Sequence, residues 1–459
     1  MGPFVKSNLK TNKIMRNLLI SLIPIILFAV YKNGYIPFAH NKTNVFGLIY
    51  PLLFIGIGAL TSFLIEFVYY KFIKKNNEFK NSYSIFPGLF LAMILPLNTP
   101  IYILLIGSAV ATLSKIVSGG FGKNIFNPAL VGYMFTMIIF SSIFTTNNYF
   151  NSYELDTISS STPLTNASML SDIGNYNKLV KPYGSLLNFF IGTIPGSLAE
   201  TSSLLCIIAL IFLTATKTIK WRIPVTYIAT VFLLTFGIGR LLGEGLYYPL
   251  FHIFSGGLMF GAVFMATDPV TSAITPVGQV LQGLFLAIIT VIFRFTGVEG
   301  VATSIIILNI FVFLFDKIGV KSRFNFMKAL PWFMLASLLI IVTIISLAST
   351  KRVIDNKDPN FNIISKQQQN NQTTYVVTQK GYGGKIKASI VFENEKIKSI
   401  EIISNNETKD RYQLVIDNNY LDTLIENQDN IEEVDTISTA TVTTNALKKM
   451  IINVMEDYN

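Results

Sequence analysis

The 459-residue sequence reads as a polytopic α-helical membrane protein that ends in a small extracytoplasmic α+β domain. Three observations lead there. Hydrophobic residues make up 51 % of the chain and charged residues only 14 %, against about a quarter charged in soluble globular proteins. Apolar runs of bilayer-crossing length recur through roughly the first 350 residues. After residue 375 the apolar spacing turns to alternation, the period of half-buried strands.

The runs fall at about 17–31, 46–70, 84–97, 100–114, 128–143, 203–216, 223–239, 248–266, 278–293, 301–315 and 330–348, eleven in all. Met1 to Arg16 is basic with no small-residue cleavage site after it, so the first run reads as a helix rather than a signal peptide. The first ten runs divide into two sets of five. The third carries Pro87 and Pro96 and the eighth Gly256, Gly257 and Pro269. Matching members of two such halves run in opposite directions. An inverted repeat is therefore expected, with interrupted helices marking a ligand site near its pseudo-twofold axis. The plainer alternative is that Gly and Pro here only tune helix packing.

A short run, 186–198, reads as a re-entrant or interfacial segment. Residues 1–325 form the membrane domain, 326–350 a tether helix, and 351–374, polar and carrying Gln367 to Gln369, a linker. The soluble domain spans 375–459, with strands expected over Lys385–Phe392 and Lys396–Ile403.

Lysines and arginines set the orientation. With the N-terminus inside, the inner segments hold seventeen of them, from Lys6 through Lys115 to Lys328, and the outer loops six, including Lys32 and Arg294. That bias places the N-terminus in the cytoplasm. The loop 144–185 and everything after Thr350 then lie outside.

The net charge of +10 does not indicate a nucleic-acid partner, because the lysines cluster between apolar runs as membrane-flanking loops do. The surrounding partner is lipid. With one cysteine, Cys206, and two separated histidines, His40 and His252, no disulfide, Cys/His metal cluster or iron–sulfur centre can be built from this chain. Redox chemistry would require an organic cofactor.

One short sequence occurs twice. Residues 156–167 and 435–446 are identical at eight of twelve positions: the Asp-Thr-Ile-Ser start, Thr162 with Thr441, and the Thr-Asn-Ala end. One copy is a loop between helices and the other lies in the soluble domain. Packing does not require the same residues in two unrelated settings, whereas a shared external reader does. Asp156, Ser159 and Thr162 pair with Asp435, Ser438 and Thr441. A threonine hydroxyl among small residues is a natural phosphoester acceptor.

The two copies resemble the Asp-x-x-Ser-Gly-Ala-Thr flavinylation signature of the Rnf complex and the sodium-pumping NADH:quinone oxidoreductase. Residues 1–325 are similar to the RnfD/NqrB membrane subunit, through Gly119-Gly-Phe-Gly-Lys-Asn-Ile-Phe-Asn-Pro-Ala129, Gly196–Ser202, Trp221–Pro224 and Ala266-Thr-Asp-Pro269. Residues 326–459 resemble the RnfG/NqrC FMN-binding subunit, through Gly381–Ile386 and Glu407-Thr408. The chain thus looks like a fusion of two partner subunits. The resemblance implies a flavin transferase that moves FMN from FAD to Thr162 and Thr441, a bacterial cell membrane as the setting, and other electron-transport subunits as partners. Thr443 also lies in the second copy, but Leu164 stands at its place in the first. Both copies depart from the signature at its glycine, occupied by Ser160 and Thr439.

Asn124 and Asn127 follow a Gly-Gly-x-Gly-Lys turn before the fifth run. Their amides offer donors and acceptors to an isoalloxazine or ribityl edge, and the resemblance implies a non-covalent riboflavin or FMN there. The alternative is helix capping by Asn before Pro128. Acids at membrane depth are usually functional. Asp268 is thus expected to contact a flavin, proton or cation; Glu66 and Glu200 share that depth, and Glu66, within a turn or two of Lys71, is as readily a structural pair as a functional acid.

The expected function is electron transfer through bound flavins, with or without coupled Na+ or H+ movement. The alternative is a solute transporter or channel with a regulatory soluble domain, which would purify without yellow colour.

Overall fold

The computed structural model describes residues 10–458 apart from 76–78, 80–81, 142, 144–175, 199, 201, 296–299, 323–325, 356–360, 370–371, 382–383, 394–395, 408, 429–430, 432–433 and 438–439. The chain divides into two units, Met1–Thr350 and Lys351–Asn459.

In the first unit every expected apolar run is helical. Labelled in order, the helices are α1 (Thr11–Ala39), α2 (Val45–Ile73), α3 (Phe86–Ile94), α4 (Ile101–Val117), α5 (Pro128–Ile139), α6 (Leu186–Ile191) and α7 (Ser203–Ala215). After them come α8 (Arg222–Leu241), α9 (Tyr247–Phe254), α10 (Leu258–Met265), α11 (Pro276–Phe295), α12 (Gly300–Ser322) and α13 (Leu330–Asp355). Six of these, α1, α2, α8, α11, α12 and the apolar part of α13, are long and apolar enough to cross a bilayer. The pair α9–α10, bent by 65° at Ser255–Gly257, is a seventh if taken as one span. Helices α3, α4, α5 and α7 have 9, 17, 12 and 13 residues, fewer than the roughly 20 that cross a hydrocarbon core. The unit is a polytopic membrane body.

Small residues let its helices close on one another. A Cβ on Gly88 of α3 would stand 1.9 Å from the Gly58 carbonyl oxygen of α2, so only glycine permits this approach. The run expected to be re-entrant becomes the six-residue α6 and an irregular stretch. Lys32 donates to the Ile194 carbonyl within that stretch, and the Leu198 amide donates to Leu95 at the end of α3. Lys32 and Arg294, assigned to outer loops, and Lys115, assigned to an inner one, are all buried. The charge bias survives their removal, at sixteen against four.

The second unit is a meander of four antiparallel strands, β1 (Phe361–Gln369), β2 (Gln372–Lys380), β3 (Lys385–Glu393) and β4 (Lys396–Asn405), in that spatial order. Helices α14 (Lys409–Asp417), α15 (Tyr420–Glu426) and α16 (Thr441–Tyr458) follow. Alternate residues of β2 and β3, including Tyr375, Val377, Ala388 and Ile390, are buried beneath Leu447, Met450, Ile451 and Val454 of α16.

The linker expected over 351–374 is not a linker. Helix α13 continues to Asp355, β1 starts at Phe361, and Gln367 to Gln369 are strand residues paired with Thr374, Thr373 and Gln372. An edge strand buries one face and leaves the other to polar side chains, so Phe361 and Ile363 supply the core contacts and the glutamines do not betray a strand.

Candidate functional site

Two sets of residues carry chemistry, one in each unit. In the membrane unit, α5 begins with Asn127 as its N-cap. The Asn127 Oδ1 accepts from the amides of Ala129 at 3.1 Å and Leu130 at 3.5 Å, and Pro128 follows at N1. The capping role is therefore real, but it uses only the oxygen. The Nδ2 is left with the weak sulfur acceptor of Met265 at 3.7 Å. Asn124, three residues earlier, donates to the Phe126 carbonyl at 3.2 Å.

The wide helical turn Gly261–Met265 at the end of α10 leads into Asp268, the kind of irregularity often found at functional sites. Asp268 accepts from the Thr271 hydroxyl at 3.1 Å and the Val270 amide at 3.4 Å. Asn124, Asn127 and Asp268, from widely separated parts of the chain, line one cleft. Aromatic rings form much of its wall, with Tyr83 and Phe121 at 5.0 Å between centroids and Phe90 and Phe264 at 6.3 Å. The cleft is partly open to solvent, with a cavity volume of about 70 Å³.

Two contributors were not read as site residues from the sequence. Asn309 of α12, with its amide turned to satisfy both ends, donates to the Thr271 carbonyl at 3.3 Å and accepts from the Asn127 amide at 3.0 Å. It thus ties the backbone at Asn127 to the backbone at Thr271, the residue after the cleft-lining stretch Thr267–Val270. Lys115, at the last turn of α4, also lines the cleft. Its ammonium pairs with Glu66 at 2.7 Å, and Glu66 also accepts from the Ser82 hydroxyl. The expected Glu66–Lys71 pair is therefore replaced. Lys71 instead lies over the rings of Phe67 and Phe72, because Glu66 faces the protein interior, fully buried, whereas Lys71 is exposed.

In the soluble unit, Thr441 is the first residue of α16 and is exposed. Thr443 is fully buried and donates to Glu407 Oε2 at 2.6 Å. The Glu407 Oε1 accepts from the Gly384 amide at 3.4 Å, and a Cβ on Gly381 would stand 2.2 Å from it. The turn resembling the FMN-binding subunit and the start of α16 are thus joined through one carboxylate. Asp435 is exposed near Tyr420, whose hydroxyl is pushed up by burial and further by the Asp435 charge. Ser438, Thr408, Asp156, Ser159 and Thr162 lie outside the described residues.

A membrane body with a polar, aromatic-walled cleft, joined to a soluble domain with an exposed threonine in the duplicated sequence, defines an oxidoreductase-type subunit of membrane electron transport. Residues 1–325 match the NQR2, RnfD, RnfE family, and the chain belongs to that family. Residues 381–456 match the FMN-binding domain. Three relatives are the D components of ion-translocating complexes. The chain is 32 % identical over 331 residues to that of the proton-translocating ferredoxin:NAD(+) oxidoreductase complex of Clostridium ljungdahlii, covering 71 % of this chain and 95 % of that protein. It is 31 % identical over 321 residues to the Na(+)-translocating counterpart of Acetobacterium woodii, covering 69 % and 91 %. It is 30 % identical over 356 residues to that of the ion-translocating oxidoreductase complex of Actinobacillus succinogenes, covering 69 % and 94 %.

Proposed function

We propose that this chain conducts electrons through two FMN groups esterified to Thr162 and Thr441 and a non-covalent riboflavin or FMN in the cleft. The duplicated twelve-residue sequence carries the reading, and the exposure of Thr441 beside the burial of Thr443 supports its choice of threonine. On modification, the threonine oxygen forms the bond to the FMN phosphorus as the phosphoanhydride of FAD breaks and AMP leaves. At Thr441 the phosphate would meet the unpaired amides and positive dipole end of the 18-residue α16.

Bound flavin supplies a ring that takes up one or two electrons. The residues do the rest. Asn127 Nδ2 and the Asn124 amide donate and accept along a ring or ribityl edge, and Asp268 accepts a ring N–H. Tyr83 and Phe121 close the cleft against water, and a three-ring ligand enters when they part. A donor set of amides and one carboxylate among aromatic faces fits a flavin.

The short helices α3, α5 and α7 and the bent pair α9–α10 serve as part-spans of two inverted five-helix halves. In that arrangement Lys115 and Arg294, each buried near the end of the fourth helix of its half, occupy matching places. The N-terminus is cytoplasmic, and the Thr162 loop and the FMN-binding domain face the outside of a bacterial membrane. The relatives are named for moving protons, sodium ions or ions, and this chain works with other subunits of such a complex in coupled transport. Full-length protein made with and without a flavin transferase tests the reading. Covalent flavin should appear only with the transferase. A colourless protein in both cases would leave a transporter as the better account.

A further inference from the structure

We infer that Lys115 sets the reduction potential of the carrier held in the cleft, and that Glu66 behind it tunes the charge Lys115 presents. This rests on the flavin site proposed above. The Lys115 side chain is 3 % exposed as a residue and forms part of the cleft wall beside Asn124, Asn127 and Asp268. Glu66, fully buried, is not in that wall. A group in the cleft therefore meets the cation first and the carboxylate beyond it. The ammonium is held from three directions: by Glu66 at 2.7 Å, by the Ser82 carbonyl, and by the Phe121 ring at 5.7 Å from its centroid.

Burying a pair of charges is no efficient way to stabilise a helix bundle, since apolar side chains of the same volume do as well. Charges retained at membrane depth usually act. Here the order of charges suits a carrier that gains negative charge. Two electrons from the reduced donor protein and one proton from water convert the neutral ring to a monoanion. The donor is oxidised by two electrons, and the charge in the cleft falls by one. Lys115 favours that state, whereas Asp268, the carboxylate in the cleft wall, opposes it. Lys123 on the adjoining loop is exposed and screened by solvent.

Equilibrium redox titration of the bound flavin, in full-length protein with Thr162 and Thr441 both changed to Val, reads the effect directly. Mediators with dithionite serve as reductant. Glu66→Gln should raise the potential, because the ammonium is no longer offset. Adding Lys115→Gln removes both charges together. Relative to Glu66→Gln alone, it should weaken binding of reduced flavin tenfold or more against oxidised flavin, a fall of about 30 mV for a two-electron couple. Lys115→Arg, which keeps the charge, should keep the potential. A structural pair would not move the potential in opposite directions. Equal potentials in Glu66→Gln and the double variant would overturn the inference while leaving the flavin site standing. Absence of flavin from the double-valine protein would overturn the site and the inference with it.

Discussion

The Thr443 hydroxyl and the Glu407 carboxylate meet at 2.6 Å, two residues from the exposed Thr441 hydroxyl. The neighbouring threonines of one motif are thereby divided into a buried and an exposed one. Substituting Thr441 by Ala should abolish covalent flavin on the soluble domain. Substituting Thr443 by Val should leave the flavin in place but remove one hydrogen bond to Glu407, at about 1–3 kcal/mol. Peptide mass spectrometry with urea unfolding of the domain separates the outcomes, and flavin found on Thr443 would refute the assignment.

Asn309 joins the Asn127 backbone amide to the Thr271 carbonyl beside the cleft. Its replacement by Leu leaves both backbone groups without that partner, so non-covalent flavin should be lost at least tenfold more readily. Flavin retained on gel filtration, measured beside Asn127→Ala, gives the comparison. Undiminished affinity in both variants would remove the cleft from the electron path.

Orientation is open to a direct check. In a background with Cys206 replaced, a cysteine near residue 420 should react with an impermeant thiol reagent added outside, and one near residue 13 only after the membrane is opened. The reverse pattern would invert every topological statement made from the lysines.

Passage of electrons from the cleft through the Thr162 flavin to the Thr441 flavin makes a kinetic prediction. In Thr162→Ala protein the Thr441 flavin should still be reduced by dithionite, yet lose at least tenfold in its rate of reduction by the physiological donor. Stopped-flow absorbance decides between this and separate paths.

Much of this was legible in the chain. Each of the eleven long apolar runs became wholly or partly helical, and the spacing of β3 and β4 was readable because one face of each alternates. Strand β1 was hidden because its glutamines mimic a solvated linker while Phe361 and Ile363 do the packing. Asn124, Asn127 and Asp268 could be gathered from motif and resemblance. Lys115 could not, since a lysine at the end of an apolar helix reads as a loop charge until its partner is known. Glu66 then drew the wrong lysine, because sequence proximity favours Lys71 and helix packing favours Lys115. Asn309 left one faint sign, an amide within Ile-Leu-Asn-Ile.

The Asn309 bridge also bears on biogenesis. The residues it joins near the mouth of the cleft, Asn127 and Thr271, are synthesised well before it, and α12 is the last helix to reach them. A ribosome that has delivered only the first eleven helices has made an open cleft with its loops untied. Ligand retention would thus begin late, once α12 inserts, leaving the nascent chain unable to trap a redox-active dye while its first eleven helices are being made.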